Sequence, residues 1–322
     1  MSFIKNDKLD FVSINKIETK SGFILQPELS VINRDCLMTR GHAFYAVWDF
    51  EAGAWTFDEL RVPSLINVLM QEAFDNLPEH EKPFATISDI GRFRTSEWSS
   101  FKAYCKQLPD KSRDLDTEVT FADENPPRDA YRARKLPYAL SNKPARAYHK
   151  LANVLYDPEE LEKLEWSVGM CLCGEQSLVH KFVAIFGGSG TGKSTYLSII
   201  DSLFRGYTET VNVHNIVSGQ NEFALSRFAS NPLVIIEHDC NLSNIKDNSR
   251  FNSMISHEKM EINVKNQALY TARILGMLFL GTNKPIHITD ARSGVSRRLI
   301  DVSPSGRLVP LEIYDKLMND IQ

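Results

Sequence analysis

Residues 182–205, FVAIFGGSGTGKSTYLSIIDSLFR, constrain the fold more than any other stretch of the chain. The apolar run Phe182 to Phe186 reads as a buried strand. It breaks at Gly187-Gly188-Ser189-Gly190-Thr191-Gly192, and Lys193-Ser194-Thr195 opens a helix with apolar residues at Leu197, Ile200 and Leu203. Strand, glycine loop and helix in that order make a phosphate cradle. The glycines let successive N–H groups turn inward, and the helix N-terminus adds its partial positive charge. Lys193 is placed to reach the β and γ phosphates of ATP, and the Ser194 hydroxyl to ligate Mg²⁺. Such a loop serves kinases, transporters, motors and switches alike, so it leaves open what hydrolysis drives.

A chain of 322 residues with 43% hydrophobic content can build two domains with packed cores. The N-terminus carries no basic stretch followed by an apolar one, and the longest strongly apolar run, Ile274 to Leu280, is far short of a membrane span. The expected setting is cytoplasmic, or the host cytoplasm for a viral protein. Five scattered cysteines, an odd number, argue against a disulfide framework. Cys171-Leu-Cys173 lacks the spacing and the second pair of a zinc knuckle, so both are expected as buried thiols. A net charge of −4 excludes binding of nucleic acid by bulk charge. Local charge differs: residues 241–300 hold nine Lys or Arg against four Asp or Glu, downstream of the loop where a polyanion track would be useful.

Residues 1–112 read as a small α+β domain without a catalytic signature. HAFYAVWDFEAGAWTFDEL alternates on both sides of Phe50-Glu51-Ala52-Gly53, predicting a hairpin with Tyr45 or Trp48 facing Trp55 or Phe57, and a helix follows over Pro63 to Leu77. Ser88 to Tyr104 mixes Arg92, Phe93, Arg94, Trp98, Phe101 and Lys102; an amphipathic helix with an aromatic core face explains it better than a grip on single-stranded nucleic acid. Residues 113–130 are acidic and proline-containing and are expected as a solvated linker, a reading preferred to a carboxylate pair at Asp114 and Asp116. Residues 131–180 turn helical, with Pro158-Glu159-Glu160 as a helix start and Leu161, Leu164, Trp166, Val168 and Met170 behind it. This segment leads into an ATPase domain over residues 181–322.

Downstream, Leu233 to Ile236 reads as a buried strand with Glu237-His238-Asp239 at its carboxyl end, where an open α/β sheet binds its ligand. Either acid, Glu237 or Asp239, can hold Mg²⁺ and polarise water. The strand Ile274 to Leu280 ends in Gly281-Thr282-Asn283, which offers Asn283 as a γ-phosphate sensor. Ser293-Gly-Val-Ser-Arg297-Arg298 precedes a further strand and supplies guanidinium groups suited to developing γ-phosphate charge.

Asp239 follows Lys193 by 46 residues and Asn283 follows Asp239 by 44. With GGSGTGKST, LVIIEHD, LGTNKP and SRRLIDV in this order, residues 130–308 resemble superfamily 3 helicases of the AAA+ class, and more closely the C-terminal module of phage and viral primase-helicases, the D5-like and P4-like group. The resemblance implies an AAA+ P-loop core with a parallel sheet, a homo-oligomeric ring, usually a hexamer, and translocation on single-stranded DNA in phage or prophage DNA replication. It makes Lys193 and Ser194 the phosphate and Mg²⁺ contacts, Asn283 the sensor, and Arg297 or Arg298 the finger that reaches a neighbour's ATP. It also implies a β-hairpin before the sensor strand whose tip, Lys265-Asn266-Gln267, enters the central channel, with Lys265 as the DNA contact and Lys259 in reserve. No histidine follows Lys265, and Glu237-His238-Asp239 departs from adjacent paired acids. Residues 1–112 are too short for a fused primase and show no metal-binding carboxylates, so primase activity is not expected from them, and a primase or other replication protein is a candidate partner. Two other readings stay open: a P-loop kinase or nucleotide switch acting without a ring, and a scaffold or loader assembled by ATP.

Overall fold

The computed structural model describes residues 3–4, 8–29, 37–40, 44–58, 61–88, 99, 101, 103, 115–218, 221–241, 249–265, 269–284 and 294–321. The chain divides into two compact units, residues 1–115 with 125–133, and residues 116–124 with 134–322.

The first unit is α+β. Strands β1 (Phe3–Ile4), β2 (Val12–Thr19), β3 (Gly22–Leu29) and β7 (Ala85–Ile87) form a four-stranded sheet in the order β1-β2-β3-β7. β2 and β3 pair antiparallel over their whole length, from Val12↔Leu29 to Thr19↔Gly22. Strands β4 (Leu37–Arg40), β5 (Phe44–Asp49) and β6 (Ala54–Thr56) form a second, antiparallel sheet. The expected hairpin is β5–β6. Trp48 lies directly opposite Trp55 with ring centroids 5.9 Å apart, and the Asp49 carboxylate caps the turn by accepting the N–H groups of Glu51 and Ala52 at 3.0 Å. Helix α1 (Arg61–Asp75) starts two residues before the sequence pattern predicts and buries Val62, Leu65, Ile66, Leu69, Met70 and Ala73, the three-and-four spacing of one helix face. Phe101 is buried in the same core and stacks on Phe11 at 5.7 Å, in line with the core-face reading of its segment; Arg92, Phe93, Arg94, Trp98 and Lys102 lie outside the described residues.

Residues 113–130 are not a solvated linker throughout. Among the described ones, Leu115, Asp116, Val119 and Thr120 are buried. The reason is a specific partner for the charge: Arg134 Nε donates to Asp116 Oδ2 at 2.8 Å, and the Arg134 guanidinium also donates to the Gly206 and Asn231 carbonyls. An acid with those bonds can leave water. Asp116 therefore serves structure, while Asp114 lies outside the described residues.

The second unit centres on a five-stranded parallel sheet of β8 (Phe182–Phe186), β9 (Thr208–Thr210), β10 (Val234–Glu237), β13 (Met277–Thr282) and β14 (Leu299–Val302), in the order β14-β8-β13-β10-β9. Both faces are covered, which is why these strands read as unbroken apolar runs. Val183, Ile185, Val234, Ile236, Met277 and Phe279 face one core with helices α2 (Arg146–Leu155), α3 (Pro158–Leu172), α4 (Lys193–Leu203) and α7 (Leu311–Ile321). Phe182, Ala184, Ile235, Leu278 and Leu280 face the other, with α5 (Val213–Ser218) and α6 (Ser249–Ile255). Of the helical segment 131–180, residues 134–180 belong to this unit and residues 131–133 to the first. Two expectations change here: Trp166 is 46% exposed, and Cys173 is exposed while Cys171 is buried.

Between β10 and β13 in the chain, β11 (Lys259–Ile262) and β12 (Tyr270–Arg273) form the expected hairpin. Its alternation has a simple cause. Met260, Ile262 and Ala272 are buried in the second core, so Lys259, Glu261, Thr271 and Arg273 point outward.

Candidate functional site

The loop after β8 has the backbone that its glycines imply. Gly190 and Gly192 sit at φ +76° and +94°, where any other residue would be strained. Gly192 has a second reason: a Cβ there would lie 2.8 Å from Leu155 Cδ2, so α2 packs against the bare loop. The Gly187 N–H is anchored on the Thr282 carbonyl at the end of β13, 3.2 Å away. Thr191 Oγ1 donates to the Gly188 carbonyl at 2.9 Å.

Lys193 is 6% exposed and donates its ammonium group to the Gly187 and Gly188 carbonyls at 2.7 and 2.6 Å. Burial lowers its pKa, and the charge of Asp239 works against that shift. Ser194, the next residue, is exposed, whereas the Thr195 hydroxyl is 3.2 Å from that of Tyr314 on α7. A cavity of about 250 Å³ beside the loop is lined by Gly190 to Thr195 with Leu155, Arg307, Leu308, Val309 and Tyr314.

The two acids after β10 have different surroundings. Glu237 is 7% exposed and its Oε2 accepts the Val213 N–H at 2.8 Å, at the first residue of α5. Burial raises its pKa, and the Val213 bond partly offsets this. Asp239 is exposed, and its Oδ1 accepts Asn283 Nδ2 at 3.3 Å. β13 lies between β8 and β10, so Lys193, Asp239 and Asn283 come from the carboxyl ends of neighbouring parallel strands, the ligand-binding edge of such a sheet.

The arginines also separate. Arg298 donates Nε and Nη2 to Ser256 Oγ at 3.0 and 2.6 Å and Nη1 to the Gly294 carbonyl at 2.9 Å. Arg297 is exposed, and its side chain has no hydrogen-bond or ion-pair partner among the described residues. Lys265 is exposed at the tip end of the hairpin, while Lys259 pairs with Arg273 at its base; Asn266 and Gln267 lie outside the described residues.

The donor set suits a hard divalent cation shared with a phosphate. Ser194 offers a hydroxyl and Asp239 a carboxylate, and no group of three or more His, Cys, Asp or Glu that could cage a metal occurs among the described residues. Mg²⁺ is commonly held this way, through one or two protein oxygens and the substrate phosphates. Tyr314, Arg307 and the Ser256–Arg298 bond escape the sequence patterns, because each acts across more than 40 residues of chain with no spacing rule to mark it.

A family model described as a family of unknown function (DUF5906) matches residues 185–298, from β8 to Arg298. No curated protein matches the chain. The apo structure of the C-terminal region of NrS-1 in its A form superposes with a TM-score of 0.52 at 11% identity, over 88% of this chain and 64% of that one. A second apo structure of that region gives 0.49 at 14% identity over the same shares. JCV helicase, bound to a thiazolopyridine compound, gives 0.37 at 14% identity over 56% of this chain and 50% of that one. The chain thus spans 64% of the length of the NrS-1 region, and the two are alike in fold. No helix among the described residues is long and apolar enough to cross a membrane.

Proposed function

We propose that the chain is an ATP-dependent DNA helicase: a superfamily 3 motor of the AAA+ class that assembles into a homo-oligomeric ring, hexameric by the family resemblance, and moves on single-stranded DNA in phage or prophage replication. The observation that carries the reading is the β11–β12 hairpin. It is inserted between the strands that deliver Asp239 and Asn283, and it presents Lys265 outward. A kinase or nucleotide switch has no use for a basic hairpin there.

In this reading Lys193 exchanges the Gly187 and Gly188 carbonyls for the β and γ phosphates of ATP. The loop N–H groups and the α4 N-terminus hold the remaining phosphate charge. Bound Mg²⁺, shared by Ser194, Asp239 and the phosphates, would supply charge neutralisation. Asp239 takes the proton of the attacking water, and Asn283 fixes the carboxylate orientation. Glu237 supports the site from beneath by holding the start of α5. Arg297, exposed on its own chain, serves as the finger for the neighbour's ATP. Lys265 grips phosphates of single-stranded DNA, which makes binding sequence-independent and salt-sensitive.

The test is steady-state ATP hydrolysis with and without single-stranded DNA across a range of protein concentrations, with Arg297→Ala subunits mixed into wild type. DNA stimulation, a rate per subunit that rises with concentration, and poisoning by Arg297→Ala are expected. Turnover indifferent to both DNA and concentration would move the chain to the kinases and switches. Assembly that survives Asp239→Asn with no turnover by wild type would make it a scaffold.

A further inference from the structure

Lys259 and the hairpin begin only three residues after Ser256, and Ser256 accepts two bonds from Arg298. Arg298 adjoins the exposed Arg297, in the short 3₁₀ turn Ser296–Arg298 that leads into edge strand β14. Arg298 is fixed locally. The Arg298 N–H donates to the Val295 carbonyl at 3.0 Å, and Nη1 returns to Gly294 at φ +73°, where a Cβ would lie 2.6 Å from that nitrogen. The first leg of the hairpin is thereby bound to the turn that carries Arg297.

The second leg has its own tether. His257, 6% exposed and at φ +52°, donates Nδ1–H to the Ile274 carbonyl at 2.6 Å, just beyond β12 and before β13. β13 runs from there to Asn283. The base of the hairpin is therefore held between the turn that carries Arg297 and the strand that ends at Asn283.

From this geometry we infer that Arg298 is a positioning residue that couples the hairpin to the Arg297 turn through Ser256, so that engagement of Arg297 by a neighbour's nucleotide shifts the DNA-gripping hairpin. The inference rests on the motor reading above. A guanidinium fits this role because it is planar, permanently charged and able to bridge two acceptors at once. Arg298 is partly buried, burial and the Arg297 charge lower its pKa while Glu258 works the other way, and loss of the Ser256 acceptor removes two of its side-chain bonds.

The experiment uses the full chain with Ser256→Ala, which removes the acceptor, and Ser256→Thr, which keeps a hydroxyl. Basal ATP turnover and affinity for a single-stranded oligonucleotide should stay within about twofold of wild type in both, as expected for a side chain that touches neither substrate. The maximal DNA-stimulated rate should fall at least about fivefold in Ser256→Ala and recover in Ser256→Thr. Amide exchange over 259–262 and 270–273 should quicken in Ser256→Ala, with β8 and β13 unchanged. Full stimulation of Ser256→Ala, or a loss of stimulation matched by a loss of DNA affinity, overturns the coupling. Unchanged hairpin exchange overturns the tether itself. A wild-type protein without DNA-stimulated turnover overturns the motor reading, while the exchange result still decides the tether.

Discussion

Asn283 donates its side-chain amide to Asp239 Oδ1 at 3.3 Å, across the carboxyl ends of two neighbouring parallel strands. Glu237, two residues before Asp239, closes β10 and turns its carboxylate to the Val213 N–H instead. The pleat explains the split. Glu237 still obeys the strand alternation and faces the core that holds Ile235, whereas Asp239 lies beyond the strand and is released from it.

Removal of charge should therefore separate the two acids. Asp239→Asn should lower kcat for ATP hydrolysis by about 10²–10⁴-fold, the usual contribution of a general base, and should also weaken binding of the Mg²⁺–nucleotide complex. Glu237→Ala should cost about 1–3 kcal/mol of stability, because the buried Val213 N–H loses its acceptor. Kinetics paired with denaturant unfolding check both. A dead Glu237→Gln of normal stability beside an active Asp239→Asn would reverse the roles.

Gly192 carries a double constraint, so Gly192→Ala should both strain the backbone and push into Leu155. We expect about 1–3 kcal/mol of destabilisation and loss of nucleotide binding. Adding Leu155→Ala removes the collision and leaves the φ penalty. Binding that returns in the double variant assigns the loss to the contact with α2; binding that stays lost assigns it to the loop backbone.

The hairpin lysines differ in position, and salt should tell them apart. Lys265→Ala at the tip end should weaken binding of single-stranded DNA and reduce the slope of log affinity against log salt by about 0.7, the release expected for one phosphate contact. Lys259→Ala should leave the slope unchanged, since Lys259 lies opposite Arg273 at the base of the hairpin. A slope that responds equally to both would place DNA along the whole outer face of the hairpin.

Much of this was legible in the sequence, because the sheet edge is written in local patterns. The strand, loop and helix around Gly187 to Thr195, the strand before Glu237, the strand before Asn283 and the 259–273 hairpin each carry their own periodicity. What the sequence left open depended on contacts between distant segments. Glu237 and Asp239 differ through Val213 and Asn283, partners that no local pattern places beside them. The two arginines looked alike until Ser256 took one of them. Residues 113–130 read as solvated because their acidity was visible and Arg134, the residue that neutralises Asp116, was not recognisable as a partner.

His257 offers a pH test of the hairpin base. Burial lowers its pKa below the ordinary histidine value, with the backbone bond to Ile274 working the other way. Well above pH 6.5 the ring is neutral in both folded and unfolded chains and contributes no pH dependence. As pH falls below that value the unfolded chain takes up a proton that the folded one resists, so stability is lost toward acid. His257→Asn keeps an N–H donor for the Ile274 carbonyl, and asparagine tolerates the left-handed backbone at φ +52°. The thermal midpoint of wild type should therefore drop more steeply than that of His257→Asn between pH 7 and pH 5, with the two curves parallel above pH 7. Parallel curves throughout would mean that His257 is free to protonate in the folded protein, and the bond to Ile274 would then not be holding the second leg of the hairpin in a dry site.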